Sequence, residues 1–212
     1  GPRQRPRPAD RTLSPVAAAV AGPVSPTSTV IVLLRAVNLG PHNKVPMPAF
    51  RELLTELGAR NVVSYVASGQ AVAEIDGDPG AFGDRVHQGI LDRFGLDIDV
   101  FTRTPAELQA IVAGNPFPEL AATPKRLHVT FLDTTPDAAR IAEIGTRHGE
   151  DEFAVGDRAL YLAYLGSSHD SPILKALRRL GGRQTSRNWT TVLKLVELSA
   201  GDGSDAAREK LE

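Results

Sequence analysis

The residues best suited to chemistry lie late in the chain, in Thr185-Ser186-Arg187-Asn188-Trp189-Thr190-Thr191. They read as a polar turn opening into an apolar helix that continues through Val192, Leu193 and Leu195. The hydroxyl of Thr185 or Ser186 can cap that helix by accepting from a free first-turn N–H. A helix start carries roughly half a positive charge and unpaired donors. With the Arg187 guanidinium and the Asn188 amide added, the place suits a phosphate or a carboxylate. Trp189, the only Trp, offers a flat face for a ring. It also opens an i, i+3, i+4, i+7 stripe with Val192, Leu193 and Val196, which favours a core position. Arg187 and Asn188 have an equally physical alternative as caps of neighbouring backbone.

Two other stretches are candidates. Arg35 ends the otherwise apolar run Val30-Ile31-Val32-Leu33-Leu34, and buried Arg is rare without a partner. Asn38, His42, Asn43 and Lys44 follow it with no acid among them. His42, polar-flanked and loop-borne, is the one histidine placed for acid/base work. Ser68-Gly69-Gln70 is the third stretch: a Gly there lets backbone approach a ligand, and a tight turn needs one too.

Charge is segregated along a chain whose net charge is −1. No acid occurs between Arg11 and Arg51, nor from Ser171 to Val196, where Lys175, Arg178, Arg179, Arg183, Arg187 and Lys194 stand. If the two windows meet in space they make a positive surface; if they lie apart, the surface is ordinary.

Other chemistries find no support. The chain has no Cys, which excludes thiolate metal sites, disulfides and Cys nucleophiles. The five histidines are scattered without ligand spacing, so no metal site and no cofactor is expected. Neither a P-loop nor a dinucleotide fingerprint is present. No apolar run approaches the ~20 residues that span a bilayer, so a soluble, cytoplasmic protein without a membrane partner is expected, as a monomer or weak homodimer.

The elements that must position these residues follow from periodicity. Residues 1–28, rich in Pro, Arg and Ala, read as a flexible extension, with Gly1-Pro2 as a protease scar or an arbitrary start. Residues 29–113 read as β-α-β-β-α-β plus a short helix, the split βαβ or ferredoxin-like order. Helix stripes run through Phe50, Leu53 and Leu54, and through Phe82, Val86 and Ile90. Gly- and Pro-rich residues 114–124 read as a linker. Residues 125–199 form a second α+β unit, with a helix capped by Asp133-Thr134-Thr135-Pro136, a hairpin turned at Gly156-Asp157 and a helix from Ser171-Pro172. Residues 200–212 are a polar tail. The halves share a βαββ pattern, which suggests a structural duplication. The fold class expected is α+β: two ferredoxin-like halves, antiparallel or mixed sheets, helices on one face.

Three blocks in order, "LLRAVNLGPHNKVPM", "YVASGQAV" and "SRNWTTVLKLVEL", resemble the bacterial DUF1697 family over about residues 30–198. The family's first block corresponds to Arg35, Asn38, Gly40, Asn43, Lys44 and Met47, and its last to Arg187, Asn188, Trp189 and Thr191. The resemblance implies an α+β fold with ferredoxin-like elements and assigns no reaction. Gln70 stands where the family usually has Asn, Ala36 where it has Gly, and Pro41 where Gly or Asn is usual, which would resize a pocket.

The function expected is binding of an anion, whether nucleotide, nucleic acid or phosphorylated or carboxylated small molecule. The cleft would be walled by Arg35, Asn38, Asn43, Lys44, Ser68, Gln70, Arg187, Asn188 and Trp189. The alternatives are an enzyme on a small anionic substrate, with Arg187 and Lys44 as clamps and His42 as acid/base, and a structural module with no ligand.

Overall fold

A computed structural model describes residues 26–201. The expected extension and tail lie almost wholly outside the described residues. The fold is α+β. The first half runs β1 (Thr27–Leu34), α1 (Met47–Glu56), β2 (Arg60–Ser64), β3 (Gln70–Asp76), α2 (Pro79–Phe94), β4 (Val100–Arg103) and α3 (Pro105–Ala113). Two short 3-10 turns follow. The second half runs β5 (Leu127–Leu132), α4 (Ala138–Ile144), β6 (Arg147–His148), β7 (Asp151–Gly156), β8 (Ala159–Ala163), α5 (Ile173–Leu180), β9 (Gln184–Asn188) and α6 (Trp189–Ser199). There are two antiparallel sheets, ordered β2-β3-β1-β4 and β6-β7-β8-β5-β9.

Setting aside β6, the two orders are the same, and so is the register. Leu33 pairs with Gln70 and with Phe101 in the first sheet; Phe131 pairs with Ala159 and with Thr185 in the second. Ile31 faces Arg103 as Val129 faces Arg187. The Leu34 N–H donates to Gly69 O as the Leu132 N–H donates to Arg158 O. The two halves therefore repeat one strand pattern, in which the paired positions of β1, β3 and β4 have counterparts in β5, β8 and β9, while β2 departs through a register shift between Arg60 and Val63.

Period-two alternation explains the layers. Val30, Val32 and Leu34 point from β1 to Phe50, Leu54, Phe82, Val86 and Ile90 of α1 and α2. Ile31 and Leu33 point the other way, into a central core shared with Val129, Phe131 and Tyr161 of the second sheet. Leu160 and Leu162 of β8 pack with Ile173 and Leu177 of α5 on the outer face. The helices after each half close the centre. α6 packs against β1 and β3 of the other half as well as β5. Tyr161 of β8 donates its hydroxyl to Ile111 O of α3 at 2.7 Å. Trp189, Val192 and Leu195 of α6 lie in this shared core.

Three local readings are corrected. Residues Gln184–Asn188 are a strand, not a turn. Their alternation was hidden because the buried positions are the polar Thr185 and Arg187. The cap of α6 is Asn188, whose side chain accepts from Thr191 N at 2.9 Å; neither Thr185 nor Ser186 does this. The cap of α4 is Asp137, not the Asp133–Pro136 run, because its carboxylate accepts from Ala139 N and Arg140 N.

Candidate functional site

Arg187 is at the penultimate position of β9 and is only 8% exposed. Its partners are carbonyls, a hydroxyl and an amide. Nε donates to Gln70 Oε1 at 2.8 Å. Nη1 donates to Thr185 Oγ1 at 2.8 Å and to Ser186 O at 2.9 Å. Nη2 donates to Leu34 O at 2.7 Å, with Ser68 O at 3.2 Å and Gly69 O at 3.4 Å. One side chain of the second half thus ties the end of β1 and the β2–β3 turn of the first. No carboxylate is among these partners. Burial alone pulls the guanidinium down to about 10, so it stays charged at neutral pH.

Gln70, fully buried, completes the brace by donating its Nε2 to Tyr65 O at 2.7 Å. Gly69 is required here: at φ +76, an added Cβ would lie 2.3 Å from Val37 Cγ2. Gln70→Ala would leave the Arg187 Nε buried without an acceptor, a cost of about 1–3 kcal/mol. Urea denaturation should read that loss as a lower midpoint at unchanged slope.

Beside Arg187 opens a cavity of about 380 Å³ between the β1–α1 loop, Ser68 and the β9–α6 junction. Arg35, Ser68, Arg187 and Asn188 all line it, with Leu39, Ser186 and Thr191. The start of α6 faces this space, since both its cap Asn188 and Thr191 are on the wall. Four of the residues singled out in the sequence are therefore brought together.

The others are placed differently. Asn38 is a clasp: its amide nitrogen donates to Val45 O at 2.9 Å and Ala67 O at 2.8 Å, and its oxygen accepts from Val45 N at 3.0 Å. Gln70 lies behind the wall as the partner of Arg187. Trp189 is 3% exposed in the core. His42, Asn43 and Lys44 are exposed and outside the cavity lining. The position of His42, beyond the cavity wall, gives the proposed acid/base role no geometric support.

The two acid-free windows do not make a bare basic face. Arg35 meets Asp99 at 2.9 Å, and Arg183 meets Asp133 at 2.5 Å and Asp99 at 3.6 Å. Arg179 and Lys194 meet Glu143 and Glu197. Acids absent from the windows in sequence arrive from elsewhere in space.

Sequence reasoning missed Arg103, the counterpart of Arg187. It is 3% exposed and donates to Leu132 O at 2.7 Å and Arg158 O at 2.9 Å, the counterparts of Leu34 O and Gly69 O. The signal was present: Arg103-Thr104 precedes a helix as Arg187-Asn188 does. The charged surroundings differ. Burial pulls Arg103 down to about 10 and Arg158 pushes the same way, while Glu107, Asp133 and Asp157 oppose them. The counterparts of Glu107, Asp133 and Asp157 around Arg187 are Thr191, Arg35 and Ser68. The counterpart of Gln70 is Ala159, and the Arg103 Nε has no hydrogen-bond partner among the described residues.

A family model described as "Protein of unknown function (DUF1697)" matches residues 27–161. The chain belongs to the DUF1697 family. The matched span includes Arg35 and Ser68 and stops before Arg187. Among solved structures, the DUF1697 chain is similar to the conserved bacterial protein SP0830 from Streptococcus pneumoniae, with a TM-score of 0.66 at 16% identity. That likeness covers 82% of this chain and 99% of the other, and it concerns the fold. No curated protein sequence matches. Among the described residues of this DUF1697 member, no helix is long and apolar enough to cross a membrane, and no three His, Asp or Glu side chains group to hold a metal ion.

Proposed function

We propose that the chain binds a small oxyanion, a phosphate or carboxylate group, in the cavity beside Arg187. The observation that carries this reading is the contrast between the two buried arginines. Arg103 has three acids placed around it by the fold, with one further cation, Arg158. Arg187 has hydroxyls and another arginine at those positions, so its charge is left for a ligand to balance. An uncompensated buried charge is costly, and an anion entering from the cavity would relieve that cost. The α6 start adds its dipole in the same sense.

A small ligand is favoured over a nucleic acid because Arg35, Arg183, Arg179 and Lys194 already have acidic partners. An enzymatic role using His42 is not favoured, because His42 lies off the cavity wall. We also read each half as ferredoxin-like, on the strand order β2-β3-β1-β4 and two helices against one sheet face.

The test is thermal unfolding at constant ionic strength with phosphate replacing chloride. Phosphate at ten times its Kd should add about 1.4 kcal/mol of stability, or about 3–6 °C for a chain of this size. A second reading has its own support: every N–H of Arg187 is engaged within the protein, as in a purely structural brace. On that reading phosphate and chloride give the same melting curve.

A further inference from the structure

The cavity has an apolar lip as well as a charged floor. Leu39 is 71% exposed, the most exposed of the large apolar side chains among the described residues, and it stands on the cavity wall. Val66, 52% exposed, sits on the β2–β3 turn that carries Ser68. The backbone is held so that these side chains face outward. Asn38 at φ 58 ties its loop to Ala67 O, and Ala36 and Val66 have φ 51 and φ 47. Positive φ at a β-branched Val is a conformation the surrounding structure must impose. The Asn38–Ala67 hydrogen bond ties the loop that bears Leu39 to the turn that bears Val66, and of the two apolar side chains Leu39 is the one on the cavity wall. The inner wall continues the character with Ala36 and the 2%-exposed Val37.

We infer that the ligand is an oxyanion carried on an apolar or aromatic group, with the anion toward Arg187 and Asn188 and the apolar part against Leu39, Ala36 and Val37. This inference rests on the anion-binding reading above. Charge complementarity fixes which end enters, and about 380 Å³ is room for a phosphate with a ring attached.

The probes are inorganic phosphate and phenyl phosphate, titrated by calorimetry into the wild-type chain and into Leu39→Ser and Val66→Ser. The wild type should prefer phenyl phosphate by at least about fivefold, the value of burying roughly 40 Å² of apolar surface. Leu39→Ser should bring that preference close to one, and Val66→Ser, off the cavity wall, should leave it unchanged. Equal wild-type affinity for the two probes, or a preference untouched by Leu39→Ser, overturns the inference while leaving the anion site standing. Binding of neither probe overturns the site and the inference together.

Discussion

Arg187→Ala should lower the melting temperature by about 6–12 °C. The side chain joins the two halves through Leu34 O, Ser68 O, Gly69 O and the Gln70 amide. Removing it leaves the Gln70 oxygen buried and bereft of its donor and weakens the contact at the end of β1. A loss of about 3 kcal/mol is the scale for stranding buried acceptors, and each kcal/mol shifts Tm by about 2–4 °C at this length. Arg187→Lys separates the two roles of the residue. It keeps a charge and loses the fork that reaches six acceptors, so it should recover little of the stability. Differential scanning calorimetry decides the matter: a melting temperature within 1–2 °C of wild type for Arg187→Ala, roughly the effect of an ordinary surface change, would show that the brace does not hold the halves.

Trp189→Ala should destabilise by as much or more, about 3–5 kcal/mol, the range for emptying a large aromatic site in a core. Trp189 lies at the start of α6 among Ile31, Leu33, Val129 and Phe131, so its ring fills space between the two sheets. The variant differs from Arg187→Ala in one respect. It leaves the charge beside the cavity in place, so the phosphate-induced rise in Tm should survive. If instead Trp189→Ala melts like wild type and no longer responds to phosphate, the ring is a ligand contact and its place in the core is wrong.

Much of this architecture was legible from periodicity. The runs through Val30–Leu34 and the stripes at Phe50–Leu54 and Phe82–Ile90 are apolar at the spacing their elements require, and hydrophobic spacing is the strongest local signal. β9 was not legible, because its inward residues are Thr185 and Arg187, and a strand buried on polar atoms shows no apolar alternation. The duplication was visible only as a repeated element order. Residue identity had diverged at the telling positions: Gln70 against Ala159, Gly69 against Arg158, Arg35 against Asp133. The pairing of Arg35 and Arg183 with Asp99 and Asp133 was equally hidden, since it depends on which loops the two sheets bring together. Of the candidate site, Arg35, Ser68, Arg187 and Asn188 were found as types suited to an anion and do line one cavity. What the sequence could not convey is that Arg187 is also the brace, because its acceptors are backbone carbonyls, which any sequence supplies.

On the proposed reading, the cavity beside Arg187 lacks an internal counter-charge and takes one from solution. The other half of the molecule shows how to supply that charge. Glu107, third residue of α3, accepts the Thr104 N–H at 2.7 Å while the Thr104 hydroxyl accepts from Glu107 N at 3.2 Å. Its counterpart in α6 is Thr191. Thr191→Glu should therefore add a helix-capping contact to Asn188 and place a carboxylate on the cavity wall. Isothermal titration of phosphate into the wild type and into Thr191→Glu, with the melting temperature of each recorded, tests the claim most directly. The wild type should bind phosphate saturably, and Thr191→Glu should bind it at least about tenfold more weakly from like-charge opposition while melting at or above the wild-type temperature. Phosphate binding of equal strength in the two folded proteins, or none in the wild type, would contradict that reading.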